Sequence, residues 1–225
     1  PVILPEDPQL KNQKKERNKG VMNIALDGPA GAGKSSIAKL VAKKLSFVYL
    51  DTGAMYRTIA LYVLKNQIAP SDEAAVVARL DDIEITLSHE NGEQQIFLNG
   101  ENVSKEIRKE EVGKTASTVA KYGKVREKLV SLQQKIASEN DVIMDGRDIG
   151  TVVLPNAEVK IYLTASSRVR AERRYKELQE KGETCDLDQI EKDIILRDEQ
   201  DMNREISPLR QADDAVLVDS SDMSI

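Results

Sequence analysis

Gly28-Pro29-Ala30-Gly31-Ala32-Gly33-Lys34-Ser35 satisfies every fixed position of the spacing G-x-x-x-x-G-K-[ST]. Glycines in such a loop let backbone N–H groups turn inward and approach an anion closely. A helix beginning near Lys34 aims its positive dipole end at the same anion. The loop therefore needs a strand before it and a helix after it, and both are legible. Asn23-Ile24-Ala25-Leu26-Asp27 is a short apolar run ending in a turn signal, read as a buried strand. Ile37, Leu40, Val41 and Leu45 recur at helical spacing. Strand, glycine loop and helix together open an α/β nucleotide-binding domain, a parallel sheet flanked by helices. A ligand-free glycine turn is the plainer alternative, and the flanking context argues against it.

The remaining pattern extends this frame. Phe47–Leu50 reads as a second strand, Ala54 to Lys65 as a helix, and Ser71 as the cap of a short helix running to Leu80. The period then changes to two. Ile83, Ile85 and Leu87 alternate with polar residues, Asn91-Gly92 signals a hairpin turn, and Ile96 and Leu98 alternate on the return. Asn99-Gly100 marks a further turn, so a small antiparallel sheet is expected as an insertion over residues 81–104. Helices are expected over Val112–Tyr122, Val125–Ser138, 167–181 and 188–204. Val142–Asp145, Val159–Leu163 and Ala215–Val218 are the remaining strand candidates. Residues 1–21, with Pro1, Pro5 and Pro8 and then a basic run, read as a flexible tail before a single domain over 22–225.

Bulk composition narrows the partners. The 225 residues carry 33 Lys and Arg against 38 Asp and Glu, a net charge of -5. An acidic chain is a poor match for a phosphate backbone. Aromatics at 4% with no Trp leave few platforms for stacking bases. Nucleic acid is therefore not expected as partner, and any anion must be held by local positive clusters. No apolar run approaches a membrane span, so no membrane association is expected. Cys185 stands alone, so no internal disulfide can form, and no export signal is legible. A cytoplasmic location is expected.

Around the loop, Lys34 supplies a charge suited to the β- and γ-phosphates of a nucleotide, and Ser35 a hydroxyl suited to Mg²⁺. The expected ATP cradle runs Gly28, Pro29, Ala30, Gly31, Ala32, Gly33, Lys34, Ser35 and Ser36. Asp145 ends the apolar run Val142-Ile143-Met144. A carboxylate at a parallel strand's C-terminal edge can hold Mg²⁺ directly or through water; it can equally cap the turn at Gly146.

A phosphate loop names the donor and leaves the acceptor open. Three further segments narrow it: Asp51-Thr52-Gly53-Ala54-Met55-Tyr56-Arg57, Gly146-Arg147-Asp148-Ile149-Gly150-Thr151, and Arg197 to Arg204 ahead of Ser207-Pro208-Leu209. At these residues the sequence closely resembles the bacterial-type cytidylate kinases, from about Met22 to Ser221. The inserted sheet matches that family as well; a further helix beyond Ile225 would be expected by the same likeness. The resemblance implies transfer of the ATP γ-phosphoryl to CMP or dCMP. It implies that Arg57, Arg147 and Arg204 hold the acceptor phosphate and that Ser117, Arg126 and Asp148 read the cytosine. Thr52 and Tyr56 would shape the pocket, and Arg197 with Asp201 would contact the sugar.

Those types suit the chemistry. Cytosine presents an N4 donor beside N3 and O2 acceptors, so Asp148 can accept from N4 while Arg126 and Ser117 donate to the ring. Duller readings exist for each: Asp148 as a loop cap, Ser117 as a surface serine, and the arginines as solvated charges. Arg168, Arg170, Arg173 and Arg174 form a guanidinium-rich stretch, and Gly182 to Asp188 a polar return. Nucleotide kinases carry an arginine-rich lid in this position, so a helical lid over about 166–187 is expected to bring Arg170 and Arg174 to the transferring group; a charged surface helix is the bland alternative. No strong general base is needed, because the acceptor phosphate is itself the nucleophile. The competing functions are a kinase of another small acceptor (UMP, AMP or shikimate) and a nucleotide-binding regulatory switch. A GTPase-type switch would need an Asn-Lys-x-Asp run, and none occurs. A monomer is expected.

Overall fold

β1, Asn23–Asp27, is an apolar run with its last four residues buried, and it delivers the chain to the glycine loop. α1, Lys34–Leu45, follows that loop. β2 (Val48–Asp51), α2 (Thr52–Lys65) and α3 (Glu73–Val77) come next. The small sheet is β3 (Ile85–Glu90), β4 (Glu93–Leu98) and β5 (Glu101–Asn102). After it come α4 (Glu110–Val119), α5 (Gly123–Glu139), β6 (Val142–Gly146), β7 (Val159–Thr164), α6 (Ser167–Glu180), α7 (Leu187–Asn203) and β8 (Val216–Asp219). The computed structural model describes residues 20–90 and 93–223. The Asn91-Gly92 turn signal, the tail to residue 19 and the chain end after Met223 lie outside the described residues.

A five-stranded sheet has the order β2-β6-β1-β7-β8, and a separate three-stranded sheet the order β3-β4-β5. β1 runs parallel to β7, with Ile24 opposite Val159 and Asp27 opposite Tyr162. β7 runs parallel to β8, from Ile161 opposite Val216 to Thr164 opposite Asp219. The expected α/β class, parallel sheet with flanking helices and a small antiparallel sheet, is what the chain adopts.

The chain divides into two compact units, one of Lys43–Val142 with the described residues before Asn23, the other of Asn23–Ala42 and the chain from Ile143 onward. In the first, α2 buries Met55, Ile59 and Leu61, and α5 buries Val125, Leu129 and Ile136 in the stripe that the sequence shows. The antiparallel register pairs Ile85 with Leu98 and Leu87 with Ile96, all four buried. Asn99 and Gly100 both take positive φ, 50° and 83°, as a tight hairpin turn demands. In the second unit β6 is buried along its whole length, whereas Val216 and Leu217 of β8 are exposed.

The short helix expected from Ser71 to Leu80 is corrected. Asp72, not Ser71, caps α3: its carboxylate accepts from the Ala75 amide at 3.0 Å, and its negative charge also complements the dipole at the helix start. That helix stops at Val77, and Leu80–Asp82 forms a separate 3₁₀ turn. After β6, Ile149–Val153 winds into one π-helical turn, with the Val153 amide reaching the Asp148 carbonyl at 3.2 Å. Isolated π turns of this kind are frequent at functional sites. Among the described residues no helix is long and apolar enough to cross a membrane.

Candidate active site

In the second unit the site starts with the glycine loop. Gly28 has φ of 146°, and a Cβ there would lie 1.9 Å from the Leu163 carbonyl oxygen on β7. Only glycine lets the chain leave β1 that close to its neighbour. Gly31 and Gly33 also take positive φ, 76° and 90°. The loop so formed ends on the first turn of α1, where amides without helical partners point outward.

Lys34 is buried, and its Nζ donates to the Pro29 carbonyl at 2.7 Å. Burial first, and then the Arg147 guanidinium, push its pKa down to about 7; Asp145, Asp27 and Asp201 pull the other way. An anion arriving at this lysine finds a charge poised near its midpoint at neutral pH.

Beside it, Ser35 Oγ donates to Asp145 Oδ2 at 2.6 Å. The two residues meet because α1 starts next to the C-terminal end of β6, where Asp145 sits. A hydroxyl and a carboxylate oxygen in contact are a fitting protein share for a hard divalent cation, which completes its shell with phosphate and water oxygens. Among the described residues there is no cluster of three or more His, Cys, Asp or Glu that could hold a metal unaided.

The residues just ahead of the π turn and the end of α7 form the next group. Arg147 Nε donates to Asp201 Oδ2 on α7 at 2.8 Å. Burial opposes the charge of Arg147, but Asp201 outweighs it and the pKa rises. Burial likewise lifts Asp201, yet Arg147, Arg197 and Arg204 hold its carboxyl below the usual range. Arg204 Nη2 lies 3.7 Å from Asp148 Oδ1, both side chains being almost fully buried. Arg204 Nε donates to the Ser207 carbonyl, across a turn in which Ser207 takes φ of 51°. Arg147, Asp148, Asp201 and Arg204 thus form one alternating cluster in this unit. Arg197 stands on the same helix, α7, four residues before Asp201.

Arg170 is buried on α6 and uses three nitrogens on the protein. Nε donates to Ala165 O at 2.8 Å, Nη1 to Ala30 O of the glycine loop at 3.0 Å, and Nη2 to Asp198 Oδ2 at 2.6 Å. Arg174 is exposed and pairs with Glu177 at 2.8 Å. Arg168 meets Asp188 and Glu191 on α7 at 2.9 and 3.1 Å.

The first unit holds the other expected acceptor residues. Asp51 caps α2, its carboxylate accepting from the Ala54 amide at 2.9 Å, which fixes the turn carrying Thr52 and Tyr56. The Arg126 guanidinium stands 5.6 Å from the centroid of the Tyr56 ring, a cation–π distance. Arg126 is itself buried and donates to Ala120 O at 3.4 Å. Arg57 Nη1 donates to Ile107 O at 3.3 Å, and a Cβ on Gly113 would come within 3.2 Å of the same nitrogen. Ser117 Oγ, on α4, donates to Gly113 O at 3.3 Å.

Several contributors are not among the expected residues. Asp27 accepts from the amides of Ile149 and Gly150, both at 2.7 Å. Gln94 accepts from the Asp51 amide at 2.9 Å, and Arg108 pairs with the Asp51 carboxylate at 3.1 Å. His89 lies half-buried with Nε2 2.9 Å from Tyr49 O. The only signal for Asp27 was a lone carboxylate closing an apolar run, which also reads as a turn.

A family model described as cytidylate kinase matches residues 24–225. A cytidylate kinase of Caldicellulosiruptor bescii is 52% identical over 204 residues, 91% of this chain and 90% of that protein. One from Listeria monocytogenes is 55% identical over 203 residues, 90% of each. Among solved structures, a shikimate kinase from Bacteroides thetaiotaomicron is similar at 15% identity and a TM-score of 0.40, over 80% of this chain and 78% of that one.

Proposed function

Since the chain belongs to the cytidylate kinase family, we propose that it transfers the γ-phosphoryl group of ATP directly, in line, to the phosphate of CMP or dCMP. The observation that carries this reading is the second unit's pairing of a phosphate loop with the Arg147–Asp201 and Arg204–Asp148 cluster. One unit offers a cradle for a triphosphate and guanidiniums suited to a second phosphate.

Each residue's task follows from charge. Phosphoryl transfer asks the protein for positioning and charge stabilisation more than for covalent chemistry. The loop amides of Gly28–Ser36 and the Lys34 ammonium hold the donor phosphates. Mg²⁺, when bound, neutralises the β- and γ-oxygens, and Ser35 with Asp145 would hold it. Arg57, Arg147 and Arg204 orient the acceptor phosphate; Arg197 and Asp201 take the sugar. Ser117, Arg126 and Asp148 read the base, and Thr52 and Tyr56 shape its pocket. Uracil would set an oxygen against Asp148, and a buried polar group left without its partner can discriminate by about 10⁴-fold. Arg170, already at the Ala30 carbonyl, and Arg174, which must release Glu177, are the arginines for the transferring group. Helix α6 with the polar return that follows it, about residues 166–187, acts as the lid, excluding water from ATP. The protein works as a cytoplasmic monomer.

The deciding measurement is ADP formation with CMP, dCMP, UMP, AMP and shikimate side by side. CMP and dCMP are expected to turn over fastest, and Lys34→Ala to cut kcat by about 10³-fold while leaving the circular-dichroism spectrum unchanged. A faster rate with another acceptor, or near-normal turnover by Lys34→Ala, would refute the reading.

A further inference from the structure

The turn that carries Arg147 and Asp148 has an unusual support. Its helical part, Ile149–Val153, begins with amides that have no partner inside the turn, as any helix start does. The residue in the capping position is Asp148, a type that caps readily. It makes no capping bond with its side chain. The task falls instead to Asp27 at the end of β1, far away in sequence. Asp27 Oδ1 accepts from the Ile149 amide and Oδ2 from the Gly150 amide, each at 2.7 Å. Asp27 is only 4% exposed. Bonds to an ionised carboxylate are short and about twice as strong as neutral ones, and two from consecutive amides fix orientation as well as distance.

Gly150 is part of the fit. A Cβ there would stand 3.3 Å from Asp27 Oδ2 and 3.2 Å from Lys160 Cδ. Lys160 is itself anchored, its Nζ donating to Pro155 O at 2.6 Å and Asp214 Oδ1 at 2.9 Å. The turn is therefore gripped between an anchored lysine stem and a buried carboxylate. The consequence is chemical: with the amides satisfied by Asp27, the Asp148 carboxylate makes no capping bond to its own turn and stands 3.7 Å from the Arg204 guanidinium.

We propose that Asp27 is a positioning residue for the acceptor nucleotide: by capping the Ile149–Val153 turn in place of Asp148, it holds Arg147 in place and leaves Asp148 to recognise the base. The inference rests on the reading of Asp148 as the base-reading carboxylate. Asp27 touches no substrate in this account, and its effect passes through the turn.

The test compares wild type, Asp27→Asn, Asp148→Ala and the double variant. Asparagine keeps the shape but turns an N–H₂ donor toward one of the two amides. Asp27→Asn is expected to raise KM for CMP and to lower the CMP-over-UMP ratio of kcat/KM by about tenfold or more, a size typical of lost supporting hydrogen bonds. KM for ATP should stay within about threefold. Asp148→Ala should lower the same ratio, and adding Asp27→Asn to it should lower the ratio no further. A folded Asp27→Asn with the wild-type ratio, or with its loss confined to ATP, would overturn the proposal. An Asp148→Ala protein with an unchanged ratio would instead overturn the base reading, and the inference with it. If Asp27→Asn fails to fold, Gly150→Ala disturbs the same grip from the other side: it must lower the ratio while sparing ATP, and an unchanged ratio counts against the proposal.

Discussion

Asp27 and Lys34 lie at opposite ends of the glycine loop, and burial acts on them in opposite directions. It raises the Asp27 carboxyl to about 6, against the two amides and Lys34 that favour its charge, and with Asp148 adding to the rise. It lowers Lys34 to about 7. The Asp27 shift fixes a sign for stability. Between pH 4 and 6 the folded chain holds a proton on Asp27 that the unfolded chain, at 3.8, has already released. The stabilisation is complete below the unfolded value and is lost as pH rises through 6. The stability gap between wild type and Asp27→Asn should therefore widen by about 2 kcal/mol as pH falls from 7 to 4, as urea titrations at each pH would report. A gap that narrows over this range would mean that Asp27 stays ionised. At this scale the sequence was legible where a spacing rule fixes the residue, as for Lys34 and Ser35. Asp27 was not, because its meaning depends on amides 122 and 123 positions away.

At the scale of elements, periodicity located the strands and helices to within a few residues because burial follows it. Ile85, Leu87, Ile96 and Leu98 point inward at period two, and Val125, Leu129 and Ile136 at helical spacing. The π turn left no such trace, since five residues without a repeating pattern read as a loop. Nor could composition separate the arginines of α6. Arg170 is buried against Asp198, while Arg174 pairs with Glu177 in solvent. Their substitutions should diverge. Arg170→Ala strands a buried carboxylate and should cost about 3–5 kcal/mol in denaturant unfolding. Arg174→Ala breaks an exposed pair, which contributes little, and should leave the unfolding midpoint unchanged while lowering kcat through the lid. A stable Arg170→Ala protein would mean that α7 relaxes to hydrate Asp198. An Arg174→Ala enzyme with full kcat would remove that residue from the transferring group.

At the scale of the whole molecule, one compact unit joins Asn23–Ala42 to the chain from Ile143 onward. Contacts at that separation are not written in local patterning, so no window of sequence shows them. Charge, by contrast, is a property of the whole chain, and it makes a final prediction. At -5 the protein's overall field repels the polyanions it must bind. Attraction has to come from groups close to the ligand, such as Lys34, Arg147 and Arg204, which are buried or nearly so and are weakly screened by salt. Proteins that depend on many exposed cations lose about 10³–10⁵ in affinity between 50 and 200 mM salt. Here the long-range repulsion that salt relieves and the short-range attraction that salt weakens oppose each other. With Mg²⁺ and ATP saturating, kcat/KM for CMP should then change by less than about threefold over that range, measured by coupled ADP release in KCl. A fall of a hundredfold would place the phosphate-gripping charge on exposed lysines instead of the guanidinium cluster around Asp148 and Asp201.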